Sequence, residues 1–160
     1  MDSLWYKDAV VYELPVQAFY DSNGDGQGDF PGLVEKLDYL RDLGVSAISL
    51  LPFYPSSPPG DGFQMAEYES VDPRFGTQRD FQDFLREAQT RGMRVLIEQR
   101  LFHLHPDFNV NNAPFRDSLV RVMRHWLDEG VDGLRLRGIT NGVERDGDRD
   151  QDIPKVHNLL

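Results

Sequence analysis

The hydrophobic pattern repeats three times along the chain as an amphipathic helix, a glycine and a short apolar strand. The glycines are Gly44, Gly92 and Gly130, and the strands that follow them are predicted at residues 46–51, 94–98 and 132–136. A glycine at this position can adopt the left-handed conformation that ends a helix. An apolar run at residues 9–14 predicts a further strand before the first helix.

Each predicted helix has one apolar face, with hydrophobic residues three or four positions apart. The positions expected to be buried are Leu33, Leu37 and Leu40 in the first helix, Phe81, Phe84, Leu85 and Ala88 in the second, and Phe115, Leu119, Val122, Met123 and Trp126 in the third. Strands that alternate with helices form parallel sheets, because each helix returns the chain to the same edge. The pattern therefore predicts an α/β fold with about four parallel strands and three helices.

The pattern stops after Leu136. Residues 138–152 are rich in glycine, aspartate and arginine and have no apolar period. We therefore predict two parts, an α/β domain at residues 1–137 and an irregular acidic tail at residues 138–160, with a short helix at residues 153–160.

Composition excludes several functional classes. The chain has 160 residues, of which 39% are hydrophobic, and a formal net charge of −10. Binding to nucleic acid needs a basic surface that releases counterions, so this charge argues against a nucleic acid partner. The sequence has no cysteine, no apolar signal segment at its start and no apolar run of about 18 residues, so we expect no membrane partner and a soluble cytoplasmic protein.

An acidic, glycine-rich loop follows the first predicted strand. Its oxygen-bearing side chains are Asp21, Asn23, Asp25, Gln27 and Asp29. Oxygens on alternate residues of a tight loop can converge on one point, and Ca²⁺ takes six to eight oxygen ligands. We therefore predict a structural Ca²⁺ site, with an aspartate-rich turn that holds no ion as the alternative. An EF-hand is not expected, because the twelfth loop position is Gly32 rather than glutamate.

Several segments resemble glycoside hydrolase family 13, the α-amylase family, and within it the trehalose synthase branch. They are WYKDAVVYEL at residues 5–14, AF at 18–19, LPFYPS at 51–56, DGF at 61–63, YESVDPRFGT at 68–77 and GVDGLRL at 130–136. The resemblance implies a TIM barrel of eight strands. We expect this chain to supply the first four strands, as a partial (β/α) TIM-type barrel that lacks the large subdomain usually inserted after the third strand.

The resemblance also implies a catalytic apparatus that this sequence departs from. In the family, the nucleophile is the aspartate of a Gly-x-Arg-x-Asp pattern, and here that pattern begins at Gly133 and ends at Arg137. A guanidinium stays protonated and cannot act as the nucleophile. The acid/base glutamate and a further aspartate belong to the fifth and seventh strands of the family. We therefore expect no intact catalytic residue and no activity from this chain alone.

Four positions keep a substrate-binding residue or a close relative of one in the implied site: Asp61, Phe63, His103 and Arg135. Each polar member has a structural alternative. Asp61 suits the cap of a turn, His103 suits a hydrogen bond to the backbone, and Arg135 suits an ion pair with Glu98 on the next strand. A transition-metal site at His103, His105 and Asp107 is a weaker alternative. Other implied pocket positions have changed, with Pro15, Gln17 and Ser49 in place of histidine, arginine and tryptophan.

Three hypotheses follow. The first is a carbohydrate-metabolism domain of the trehalose synthase or α-glucosidase type, with maltose or another α-glucoside as its ligand. The second is a non-catalytic module that binds an α-glucoside or a partner subunit. Open sheet edges favour pairing with other strands, which suggests a homodimer or pairing with the missing half of the barrel. The third is an engineered or degenerate fragment with no native role.

Overall fold

The fold is a four-stranded parallel sheet with helices packed on one face. A computed structural model describes residues 4–55, 68–100 and 113–137, and gives the backbone alone for Arg100, residues 113–115 and Arg137. The strands are β1 (Val11–Leu14), β2 (Ala47–Leu50), β3 (Arg94–Arg100) and β4 (Gly133–Arg137). The helices are α1 (Phe30–Glu35), α2 (Leu37–Asp42), α3 (Gln78–Thr90) and α4 (Ala113–Asp128), with short 3₁₀ turns at Trp5–Lys7, Val16–Ala18 and Pro73–Phe75.

The strands lie in the order β1-β2-β3-β4, and every neighbouring pair is parallel. Leu14, Leu50 and Ile97 form one rung of the sheet, next to a rung of Glu13, Ser49 and Leu96. Successive side chains of a strand point to opposite faces. The two rungs therefore belong to different faces, and the predicted parallel α/β architecture is confirmed.

The three repeat glycines end their helices as predicted. Gly44, Gly92 and Gly130 have φ angles of 88°, 77° and 103°. A Cβ atom is strained at such angles, whereas glycine adopts them at little cost. The short strands can therefore begin immediately after each helix.

The first predicted helix is two short helices that meet at Lys36. This residue has φ −102° and ψ 0°, and its N–H donates to the Leu33 carbonyl 3.1 Å away, three residues earlier. An i→i−3 bond is the tighter 3₁₀ pattern, which interrupts an α-helix. The break does not disturb the apolar face, because Leu33, Leu37 and Leu40 are all fully buried.

Aromatic rings form the core between the sheet and the helices. The rings of Phe30, Phe53, Phe81 and Trp126 have centroid separations of 5.2–5.3 Å. Most of these pairs meet edge to face, the geometry that the quadrupoles of aromatic rings favour. Leu14, Leu50 and Ile97 belong to the same buried cluster, so their rung faces the helices.

Asp72 anchors the segment that leads into α3. Its backbone N–H donates to the Phe53 carbonyl at 3.0 Å, and its carboxylate binds the Arg74 guanidinium at 2.6 Å. The Arg74 side chain holds the pKa of Asp72 below its usual value of 3.8 against a smaller opposing effect of burial. Thr77 and Asp80 then form a reciprocal capping box at the start of α3.

No helix in the described ranges is long and apolar enough to cross a membrane. The predicted tail at residues 138–160 lies outside the described residues. Of the predicted buried positions of α4, Val122 and Trp126 are buried, and Leu119 and Met123 are half-buried.

Candidate functional site

The face of the sheet opposite the helices is polar and concave. Arg135 of β4 forms an ion pair with Glu13 of β1, although β2 and β3 lie between these strands. Strands are spaced about 4.8 Å apart, so a flat sheet would hold the two backbones about 14 Å apart with their side chains pointing in parallel directions. The contact therefore requires a sheet that curves around this face, as the wall of a barrel does.

One guanidinium lies close to two carboxylates on the concave face. Arg135 Nη1 contacts Glu13 and also lies 3.9 Å from Glu98 Oε2 on β3. The Glu98 side chain has no exposed surface, whereas that of Arg135 is 45% exposed. The ion pair of Arg135 with Glu98 that the sequence suggested is thus present, and Glu13 is a partner that sequence reasoning missed.

Ser49 lies on the same rung as Glu13 and is fully buried. Its hydroxyl is one of the few buried side-chain atoms in the described residues with no hydrogen-bond partner. A buried hydroxyl without a partner is a cost to stability. The middle of the concave face therefore contains a hydroxyl without a hydrogen bond, whereas Glu13 and Arg135 on its two edge strands form an ion pair.

Arg137 is the last residue of β4 and is in register with Arg100 of β3. The carboxyl ends of these strands therefore have two arginines, and Arg137 stands at the position where the resemblance implies a nucleophilic aspartate. Asp61, Phe63 and His103, the other predicted substrate positions, lie outside the described residues, as do His105 and Asp107.

The acidic loop after β1 is folded around its own backbone. Asp21 accepts hydrogen bonds from the N–H groups of Gly24 and Gly26, each at 2.7 Å. Asn23 accepts from Asp25 N–H at 2.9 Å, and Asp25 accepts from Gln27 N–H at 2.8 Å. The Gly26 N–H is the main reason that the pKa of Asp21 lies below its usual value of 3.8. Each of these three side chains therefore supports the curl of the loop.

Asp29 has a different role from the other predicted calcium ligands. It is buried, accepts from Gly32 N–H at 2.6 Å and from the Ser22 hydroxyl at 2.8 Å, and forms the N-cap of α1. Within the described ranges, no group of three or more histidine, aspartate or glutamate side chains is arranged to hold a metal ion. The oxygen chemistry of Asp21, Asn23 and Asp25 suits Ca²⁺, whereas Asp29 fits a capping role better than a ligating one.

A second candidate site is a cavity of about 390 Å³ at the carboxyl end of the sheet. The described residues that line it are Pro15, Gln17, Leu51, Pro52, Tyr54, Tyr68 and Gln99. Sequence reasoning placed the end of β3 at Glu98, so it missed Gln99. The available signal was a glutamine directly after an apolar strand, at a place where parallel strands commonly bring functional side chains together.

Comparison with known proteins identifies the family. Residues 14–103 match the family model described as the catalytic domain of α-amylase. Trehalose synthase/amylase of Mycolicibacterium smegmatis is 31% identical over 99% of this chain and 37% of its own length. Trehalose synthase of Thermus thermophilus is 34% identical over 98% of this chain and 22% of its own length.

The fold comparison agrees. The crystal structure of Bacillus licheniformis trehalose-6-phosphate hydrolase superposes with a TM-score of 0.79 at 25% identity, over 97% of this chain and 41% of that one. The chain thus spans less than half the length of these relatives. The alignment to the Mycolicibacterium smegmatis protein runs over 222 positions against 160 residues here, so at least 62 positions have no counterpart. The chain belongs to the α-amylase family, glycoside hydrolase family 13.

Proposed function

We propose that this chain is a carbohydrate-metabolism domain that binds an α-glucoside such as maltose but does not turn it over by itself. The observation that carries the proposal is the register of β4, which ends at Arg137 beside Arg100 of β3. Glycoside hydrolysis passes through a transition state that resembles a cationic oxocarbenium ion. At the positions where these two strands end, the chain has arginine and not a carboxylate that could stabilise such a charge.

The carboxylates of the concave face do not replace the missing nucleophile. Retaining enzymes need two carboxyl groups about 5 Å apart with a sugar between them. Glu13 and Glu98 are both within contact of Arg135, so the guanidinium would have to leave before a sugar carbon approached either. Glu98 is also fully buried, which shields it from a ligand.

A two-part assay tests the proposal. Purified protein is incubated with maltose and with a nitrophenyl α-glucoside, and trehalose, glucose and free nitrophenol are measured. Calorimetry measures maltose binding in parallel. We expect binding without turnover. An enzyme-like rate that an Arg135→Gln substitution abolishes would contradict the proposal, and so would an absence of binding.

A partner-subunit role is the second candidate, and the sheet edges favour it. In the described part of the chain, β1 and β4 each have a strand on one side only. The backbone groups on such an edge can pair with a strand from another chain, either a second copy or a polypeptide that supplies further barrel strands. Sedimentation over a range of concentrations tests self-association, and a monomer at high micromolar concentration would count against the homodimer.

We also propose that the acidic loop binds Ca²⁺ through Asp21, Asn23 and Asp25. The side chains are oxygen donors at alternate positions, and the hydrogen bonds from the loop backbone orient them. Binding to the native state alone raises the melting temperature. We expect Ca²⁺ to raise it for the wild type and for Asp42→Ala, a control outside the loop, but not for Asp25→Ala. Equal responses in all three proteins would exclude the site. A cytoplasmic location stays a prediction from the sequence.

A further inference from the structure

The open edge of β1 has backbone groups that face away from the sheet. The carbonyls of Val10 and Leu14 accept hydrogen bonds from N–H groups of β2. Because the backbone groups of a strand alternate between its two sides, Val11 directs its own N–H and carbonyl away from β2. In the described ranges, no strand lies on that side of β1 or on the far side of β4.

Apolar side chains are uncovered at the same two edges. Val10 and Val11 are 56% and 47% exposed. On the rung that crosses the sheet, Leu50 and Ile97 are fully buried, whereas Leu134 at the β4 edge is only half-buried. Apolar surface that stays exposed beside an open edge is typical of an interface with further polypeptide.

The helix layer is also uncovered at both ends. Asp38 of α2 pairs with Arg91 at the end of α3, and Leu43 lies about 140° around the helix from Asp38. Glu129, just after α4, accepts a hydrogen bond from α3, and Leu127 lies about 160° around the helix from it. Both leucines are about half exposed. Each therefore lies on the side of its helix that faces away from α3.

The curvature of the sheet sets the size of the ring that it can close. The ion pair of Glu13 with Arg135 requires the first and fourth strands to face one another across the concave side. In an eight-stranded ring, three strand spacings turn through about 135°, and side chains fill the interior. Four strands with this curvature are half of such a ring. A second copy, related to the first by a half turn, supplies the other half.

We propose that two copies of this chain close one eight-stranded ring, with β4 of each copy paired in parallel with β1 of the other. The inference rests on the partner-subunit role proposed above. It specifies that the partner is a second copy and that both open edges pair at the same time. The ring leaves no strand edge of the described sheet exposed, and exposed edges favour open-ended association.

The geometry of the ring also gives the register of the new pairing. Pairing in an eight-stranded barrel shifts by about eight residues per circuit, and therefore by about four residues per half circuit. The rung that ends at Leu134 then continues to Val10 of the second copy, and Leu136 lies beside Tyr12. All four positions belong to the helix-facing side, and in one copy alone they are half-buried or exposed. Apolar pairs across neighbouring strands stabilise a sheet.

Sedimentation of the full chain tests the stoichiometry. We expect monomers and dimers without larger species. Val11→Pro removes an outward N–H but no hydrogen bond to β2, and proline is tolerated on edge strands. Val10→Lys places a charge in an apolar pair. Each change occurs at both junctions of the ring, so each should raise the dissociation constant at least about 10-fold. Thr90→Lys, at an exposed position of the middle helix α3, should leave it unchanged.

Cross-linking tests which edges meet. The chain has no cysteine, so Val10→Cys and Leu136→Cys each introduce a single thiol. In the ring, position 10 of one copy lies close to position 136 of the other, whereas the two copies of position 10 are half a turn apart. A flexible bis-maleimide should therefore give covalent dimers in a mixture of the two variants and not in either variant alone. Thr90→Cys, mixed with either variant, gives the background.

The outcomes separate this inference from the proposed sugar binding. A wild type that stays monomeric at high micromolar concentration overturns the ring, and so does growth beyond a dimer. Cross-linking of Val10→Cys with itself also overturns it, because the two β1 edges would then pair with each other. None of these results affects maltose binding, which calorimetry measures separately. A dimer that cross-links as expected but binds no maltose supports the ring and contradicts the sugar-binding proposal.

Discussion

The two faces of the sheet differ in the kind of interaction that their side chains form. The helix-facing side consists mainly of buried apolar residues whose aromatic rings contact one another at about 5 Å. The concave side has the carboxylates of Glu13 and Glu98 beside the guanidinium of Arg135, and the buried Ser49 hydroxyl there has no hydrogen-bond partner among the described residues. Apolar packing tolerates many arrangements of similar residues, whereas a buried charge needs its particular partner.

This difference predicts that the helix-facing side tolerates exchanges between similar residues better than the concave side does. Substitutions on the two sides should then change the free energy of unfolding by different mechanisms. On the helix-facing side, the loss should scale with the side-chain volume that is removed. On the concave side, the loss should depend on which member of the charged group is removed.

The largest expected effect is the loss of an aromatic ring from the helix-facing side. Phe53 is fully buried and contacts Phe30, Phe81 and Trp126. Phe53→Ala should lower the free energy of unfolding by about 3–5 kcal/mol through lost burial and the cavity that remains. Urea denaturation measures this, with the 58% exposed Tyr39→Ala as the control, for which the loss should be below about 0.5 kcal/mol. Equal losses would contradict the assigned core.

Removal of the guanidinium from the concave side is expected to rank second. Arg135→Met should cost about 2 kcal/mol, less than for a fully buried pair because half of the side chain is exposed. A double-mutant cycle with Glu13→Gln should give a coupling of about 1 kcal/mol. Arg94→Met is the comparison, because Arg94 is also 45% exposed and its partner Asp132, which is 12% exposed, keeps a hydrogen bond from Val95 N–H when the guanidinium is removed. Arg94→Met should lower the free energy of unfolding by less than about 1 kcal/mol. A larger loss would mean that the two arginines do not differ in their contribution to stability.

The two faces should respond in opposite directions to exchanges between serine and alanine. Ser49→Ala removes a buried hydroxyl that has no hydrogen-bond partner, so the protein should keep its stability or gain up to about 1 kcal/mol. Ala88→Ser adds a hydroxyl to the fully buried face of α3 and should cost about 1–3 kcal/mol. Thermal melts of the two variants measure both signs. A loss in Ser49→Ala would mean that its hydroxyl has a stabilising contact.

Acid should have the smallest effect, and it should act through Asp72 at the edge of the helix layer. The pKa of Asp72 in the folded state is lowered, so its contribution is complete above the usual value of 3.8 and is lost as the pH falls through the folded value. The melting temperature should decrease between pH 5 and pH 3 by less in Asp72→Asn than in the wild type. Equal decreases would assign the acid sensitivity to other carboxylates.

The fold was predictable wherever the pattern is local. The glycines that end the helices and the apolar runs after them are signals within a few residues, and the sheet follows from their repetition. The break at Lys36 was not predictable in the same way, because the apolar spacing of Leu33, Leu37 and Leu40 is unchanged by it. Local hydrogen bonding, rather than the hydrophobic pattern, decides where α1 ends.

The candidate site was less predictable, because its contacts join distant parts of the chain. Arg135 and Glu13 are 122 residues apart, and only the curvature of the sheet brings them together. The Gln99 and Tyr54 pair is 45 residues apart and joins β3 to the segment after β2. The sequence identified Arg135 and Glu98 because they lie on strands expected to be neighbours, and it gave no indication of partners across the sheet.

The span between Glu13 and Arg135 has a consequence for synthesis. A ribosome delivers β1, β2 and β3 before β4, so the contacts of Glu13 and Glu98 with the Arg135 guanidinium can form only after β4 has been made. Contacts this far apart in the chain also form slowly. A nascent chain that stops short of residue 135 would therefore lack the contact that joins β1 to β4, and the closure of the curved face would await the arrival of β4.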